Sequence, residues 1–160
     1  MPRYQTSLTG PMRTLIICLT LTVLCGAGCG RGVGGSSITK ADVQKMDAQE
    51  EKWLTTDPTQ EALSWLQQKD GKKRTIGAGM DSAQSVSYVK DLYSHGATKA
   101  TALTKPGDIW VMDIIVVLPA DKANRRYLLD ASDAAERDAG QGGGWEQMPD
   151  YGQKYALLQW

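Results

Sequence analysis

No cysteine follows residue 29, phenylalanine is missing altogether, histidine occurs once, and neither sign of charge is in excess. Without later cysteines, the part after residue 29 can hold neither a disulfide framework nor a thiolate metal cluster. A metal site there would need His95 with carboxylates, or carboxylates alone. Eighteen basic residues balance eighteen acidic ones, so no global field favours nucleic acid or an anionic surface. No aromatic, RNP-like strand favours it either. With no Phe, the large apolar volume must come from Trp, Tyr, Leu, Ile, Val and Met. The 160 residues suit one ordinary domain with short appendages.

Residues 1–13 are polar and carry Arg3 and Arg13; residues 14–24 (TLIICLTLTVL) are apolar and uncharged; Cys25-Gly26-Ala27-Gly28-Cys29 follows. A positive flank, a short apolar core and a small-residue exit describe an export signal. As a helix, that apolar run would span only about 16 Å, roughly half a bilayer core, which disfavours a stable transmembrane segment. Residues 1–28 therefore read as an export signal peptide. Residues 29–39 read as an anchor cysteine and a flexible Gly- and Ser-rich tether.

Further on, residues 40–55 carry Val43, Met46, Trp53 and Leu54 at roughly helical spacing. Asp57-Pro58-Thr59-Gln60 reads as the start of a second helix, bearing Leu63, Trp65 and Leu66 and ending by Gly71. Residues 40–70 thus form a helical N-terminal segment, and residues 71–160 an α+β domain. In that domain residues 72–78 are a weak strand. Asp81 caps a helix with Val86, Val89 and Tyr93 on one side, and Gly96 ends it. Residues 98–104 are a short strand, and Lys105-Pro106-Gly107-Asp108 has the residues of a type II turn. Residues 109–118 (IWVMDIIVVL) read as a central strand. A helix opened by Pro119-Ala120-Asp121 runs to about Asp138, and residues 155–160 close the chain as a strand. The order β-α-β-turn-β-α-β predicts a ferredoxin-like split βαβ sandwich. The alternative is a three-stranded antiparallel sheet with two covering helices.

Two sequence resemblances bear on identity. Gly26-Ala27-Gly28-Cys29 resembles the lipobox of bacterial lipoproteins, in which the cysteine becomes residue one and carries lipid on its sulfur. Gly26 stands where that family prefers Leu, so general signal-peptidase cleavage near Ala27 is the rival. VSYVKDLYSHGATK, DIIVVLPADKANRRYLL and DYGQKYALLQW resemble a group of uncharacterised bacterial proteins over roughly residues 86–160. That resemblance implies the small α+β fold and carries no activity.

Several motifs invite chemistry. Gly77-Ala78-Gly79-Met80-Asp81-Ser82 nearly matches a dinucleotide fingerprint, but Asp81 would face the phosphate with like charge. It reads instead as a strand-to-helix turn. His95 sits where a histidine complements a helix end. Asp130, Asp133, Glu136 and Asp138 interleave with Arg126 and Arg137 as a solvated helix face does. The glycines at 142–144 read as a loop, and no nucleophile motif occurs. In the central strand, Trp110, Met112, Ile114, Val116 and Leu118 share the face suited to lie under helices. The other face has Ile109, Val111, Asp113, Ile115 and Val117, too apolar for bare solvent. Val111, Asp113 and Ile115 are thus a possible binding face, to be covered by the helices of residues 40–68, a second subunit or a ligand.

The expectation is an exported lipoprotein of a cell or outer membrane, held through lipid on Cys29, its domain facing periplasm or exterior. That domain reads as non-catalytic, without cofactor, metal or nucleic acid, and as binding a protein partner or a second copy. The alternative is a small-ligand sensor or carrier built around Asp113.

Overall fold

The structure is a computed structural model that describes residues 38–77, 79–140 and 147–160. Residues 1–28, expected as an export signal, and Cys29 lie outside the described residues. The chain is α+β: α1 (Lys40–Thr56), β1 (Thr59–Glu61), α2 (Ala62–Leu66), β2 (Thr75–Ile76), α3 (Ser82–Ser94), β3 (Lys99–Leu103), β4 (Trp110–Val111), β5 (Asp113–Val117), α4 (Lys122–Asp138) and β6 (Tyr155–Gln159). None of the described helices is long and apolar enough to cross a membrane.

Local chemistry sets the helix boundaries. Thr39 and Asp42 form a reciprocal capping box at α1, as do Asp81 and Gln84 at α3. Asp121 caps α4 by accepting from the Asn124 amide. Gly96 ends α3 at a φ of +81°, the left-handed conformation that an L residue pays for and glycine does not.

Four strands form an antiparallel sheet in the order β1-β3-β5-β6. This order departs from the split βαβ sandwich, whose first strand lies parallel to its third. Residues 72–77 do not enter the sheet. Only Thr75 and Ile76 are strand, and they pair in parallel with Trp110 and Val111. That segment has too little apolar surface to occupy a central position. The fourth strand comes from elsewhere: β1, expected as the first turn of a helix, lies along β3, and the Thr104 amide donates to the Pro58 carbonyl. Helix start and cap pass to Glu61, whose carboxylate accepts from the amides of Leu63 and Ser64. The boundary at residue 70 separates no units, because β1 joins the same sheet as β3 and α2 joins the same core.

The long strand at residues 109–118 is broken at Met112. Consecutive carbonyls there serve different partners: Val111 accepts from the Gly77 amide and Met112 from the Trp160 amide. The turn before it behaves as expected. Gly107 has φ +92°, and the Asp108 amide donates to the Lys105 carbonyl. A Cβ at Gly107 would meet nothing within 4 Å, so any cost of substitution is conformational. Gly107→Val is expected to lose about 1–2 kcal/mol, a fall of several degrees in Tm. An unchanged melting temperature in calorimetry would show that the turn does not need this conformation.

Cross-strand register puts Ala100, Ala102, Ile114, Val116, Ala156 and Leu158 on one sheet face. They are buried in one cluster with Val89 and Leu92 of α3 and with Leu128, Leu129 and Ala135 of α4. Trp65 and Leu66 of α2 join this cluster, rather than covering the opposite face. That face carries Thr101, Ile115, Leu157 and Tyr155 and lies against α1. The Asp47 carboxylate accepts from the backbone amides of Lys154 and Tyr155 at 3.0–3.2 Å. Ile115, at the middle of the face, is fully buried.

Candidate functional site

The three residues proposed as one binding face are not one surface. Val111 pairs with β2 and belongs to the core cluster. Ile115 is buried. Asp113 alone is partly exposed; it accepts from the Gln159 side-chain amide at 2.9 Å, and burial raises its carboxyl above the ordinary range. The break at Met112 takes Val111 out of register, since strict alternation holds only along an uninterrupted strand. Ile115 stays in register with Asp113 on β5 and is buried where that face lies against α1, one of the covers expected for it.

Under α1 lies a cavity of about 20 Å³, lined by Val43, Met46, Asp47 and Glu50 of α1 and by Ser132 and Glu136 of α4, among others. This is room for about one water. Burial, with Asp47 adding like charge, raises Glu50 to about 8. Burial and Asp133 also raise Glu136. A space of that size admits no substrate.

A larger concavity opens on the other side. A groove of about 520 Å³ is lined by Gly79, Met80, Gln84, Ser87, Tyr88, Asp91, Asp138 and Trp160. Its floor is the buried Trp160 indole, met edge-on by Tyr88 with ring centroids 5.6 Å apart. Burial first, and then Tyr127, Asp91 and Asp138, hold the Tyr88 hydroxyl well above its ordinary range. At the groove's rim Tyr127 donates to the Asp91 carboxylate, and the His95 ring stacks on Tyr127 at 3.5 Å and 9°. His95 Nδ1 lies 2.9 Å from the Asp91 carbonyl, an acceptor only, so this nitrogen bears the proton. His95 is the C-cap residue of α3.

The charged face of α4 does more than meet solvent. Arg126 pairs with Asp130 at 2.6 Å, and its guanidinium also donates to the Met148 carbonyl. Asp130 accepts from Gln147 and Asp133 from the Met148 amide. The cluster clamps the returning chain, which charge spacing alone does not reveal. The dinucleotide-like glycines have a structural use as well. A Cβ on Gly77 would stand 2.7–2.9 Å from Trp160 ring atoms, and Trp110 Nε1 donates to the Gly77 carbonyl at 2.9 Å. The Gly142–144 loop lies outside the described residues. No group of three or more metal-ligating side chains occurs among the described residues.

No family model matches the sequence, and no curated protein or solved structure matches it.

Proposed function

We propose that the chain is a membrane-anchored envelope lipoprotein. It is exported, cleaved before Cys29, lipidated on that cysteine, and carries a non-catalytic binding domain. The observation that carries this reading is the order of residues 1–29: positive flank, eleven apolar residues, then Gly-Ala-Gly-Cys. The binding role is supported by the open, shallow groove over Trp160, which sets a buried indole beside the carboxylates of Asp91 and Asp138. A partner protein, or a second copy of the chain, is the occupant this chemistry suits. A small ligand held around Asp113 is the weaker reading, since Val111 and Ile115 are buried and do not form a surface with the carboxyl.

Cys29→Ser tests the address. The substitution is expected to abolish incorporation of a fatty-acid probe and to leave unprocessed precursor in the membrane fraction. Normal maturation of the variant into a soluble protein would replace this reading with cleavage by the general signal peptidase.

A further inference from the structure

Two neighbouring residues, Ile109 and Trp110, are about half exposed, at 52% and 50%, the most exposed large apolar groups among the described residues. They project because Met112 interrupts the strand and because β4 has only the two-residue β2 beside it. Trp110 spends its one donor on the Gly77 carbonyl, so the indole surface left outside is apolar carbon.

The surroundings are basic. Thr75 pairs with Trp110, and its amide donates to the Ile109 carbonyl. The exposed run Lys69-Asp70-Gly71-Lys72-Lys73 leads directly into that pairing, and the exposed Lys105 opens the turn preceding Ile109. The acidic residues within these two segments are already occupied. Asp70 forms a two-pronged pair with Arg74, and Asp108 accepts from the Lys105 amide. Four exposed lysines, Lys69, Lys72, Lys73 and Lys105, thus lie on the two segments that lead into Thr75 and Ile109, although without Arg3 and Arg13 the chain from Gly30 onward has sixteen basic against eighteen acidic residues.

We infer that this corner is a docking surface for an anionic lipid bilayer. Apolar side chains enter the interfacial region while lysine stems reach the headgroup phosphates. The inference rests on the lipoprotein reading for its setting. From Cys29 to Ile38, nine residues reach at most about 30 Å, whereas α1 spans about 25 Å. The anchor would thus keep the domain near the bilayer, and the corner would decide which side faces it.

The test uses the chain from Gly30 onward without lipid, since the described residues from Ile38 to Trp160 share one core. It should co-sediment with phosphatidylglycerol vesicles and not with phosphatidylcholine ones, and added salt should release it. Lys72→Gln with Lys73→Gln should weaken partition about 25-fold, roughly fivefold per lysine. Ile109→Ser should weaken it about tenfold, with Tm checked for each variant. No binding to anionic vesicles, or equal binding by all variants, would overturn the inference. So would a dimer in solution that Ile109→Ser dissolves, which would assign the corner to a second copy. Vesicle binding does not involve Cys29, so its failure leaves the lipidation result standing, and the reverse holds equally.

Discussion

Glu50→Gln is expected to stabilise the protein at pH 8 by roughly 3–4 kcal/mol relative to its effect at pH 5. Glu50 is 4% exposed, and burial with the nearby Asp47 raises its carboxyl from an ordinary 4.5 to about 8. The folded chain therefore keeps a proton that the unfolded chain releases above pH 4.5. Where the native state holds more protons, stability falls as pH rises, by about 1.4 kcal/mol per unit for one group. This contribution is full below about pH 4.5 and is lost as the pH climbs to 8. Asp113, Asp133 and Glu136 are also raised by burial and act in the same direction. Asp70 and Asp150, held low by Arg74 and Arg125, act oppositely and lose their contribution only in acid. The wild-type chain should be most stable near pH 5, and the Gln variant should have a much flatter profile. Urea unfolding at pH 5 and pH 8 measures it. Equal slopes for both proteins would mean that Glu50 ionises freely in the folded state.

Gly77→Ala should cost about 2–5 kcal/mol, a large share of a small domain's stability. Two penalties add. Gly77 has φ +63°, which costs an L residue about 1–2 kcal/mol. The new methyl would also meet the Trp160 ring at 2.7–2.9 Å, and such overpacking typically costs about 1–3 kcal/mol. Trp160 is 4% exposed and wedged against Tyr88, so it has little room to give way. Gly79→Ala supplies the comparison. Gly79 has φ +85° but open space around it, so only the conformational penalty applies. Denaturant midpoints should therefore separate the two variants, and equal losses would show that the Trp160 contact is not what requires glycine at residue 77.

Where local chemistry decides the outcome, the sequence was legible. Caps at Asp81 and Asp121, the glycine after α3, the Pro-Gly turn and the closing strand all follow from side chains acting within a few residues. The unreadable parts depend on distant neighbours. Thr59-Gln60-Glu61 has no apolar signature, because an edge strand is held by backbone pairing, here with β3. Asp57-Pro58 imitates a helix start while the actual cap waits at Glu61. Residues 109–118 look like one strand, and only the competing pairings of Val111 and Met112 reveal two. That break sends Val111 into the core, while Ile115, still in register with Asp113, is buried on the face that lies against α1. For Glu50 a signal did exist. It lies seven residues after Val43 and three before Trp53, on the stripe that packs inward, so a carboxylate there is a buried one.

The anchor is the point on which the functional reading turns, and the mass of the mature N-terminal peptide from isolated envelopes tests it most directly. Cleavage before Cys29 with lipid on its sulfur predicts a peptide beginning at Cys29 and heavier than its sequence mass by the attached acyl groups. A mature chain beginning at Gly28, or at Cys29 with an unmodified thiol, would contradict it.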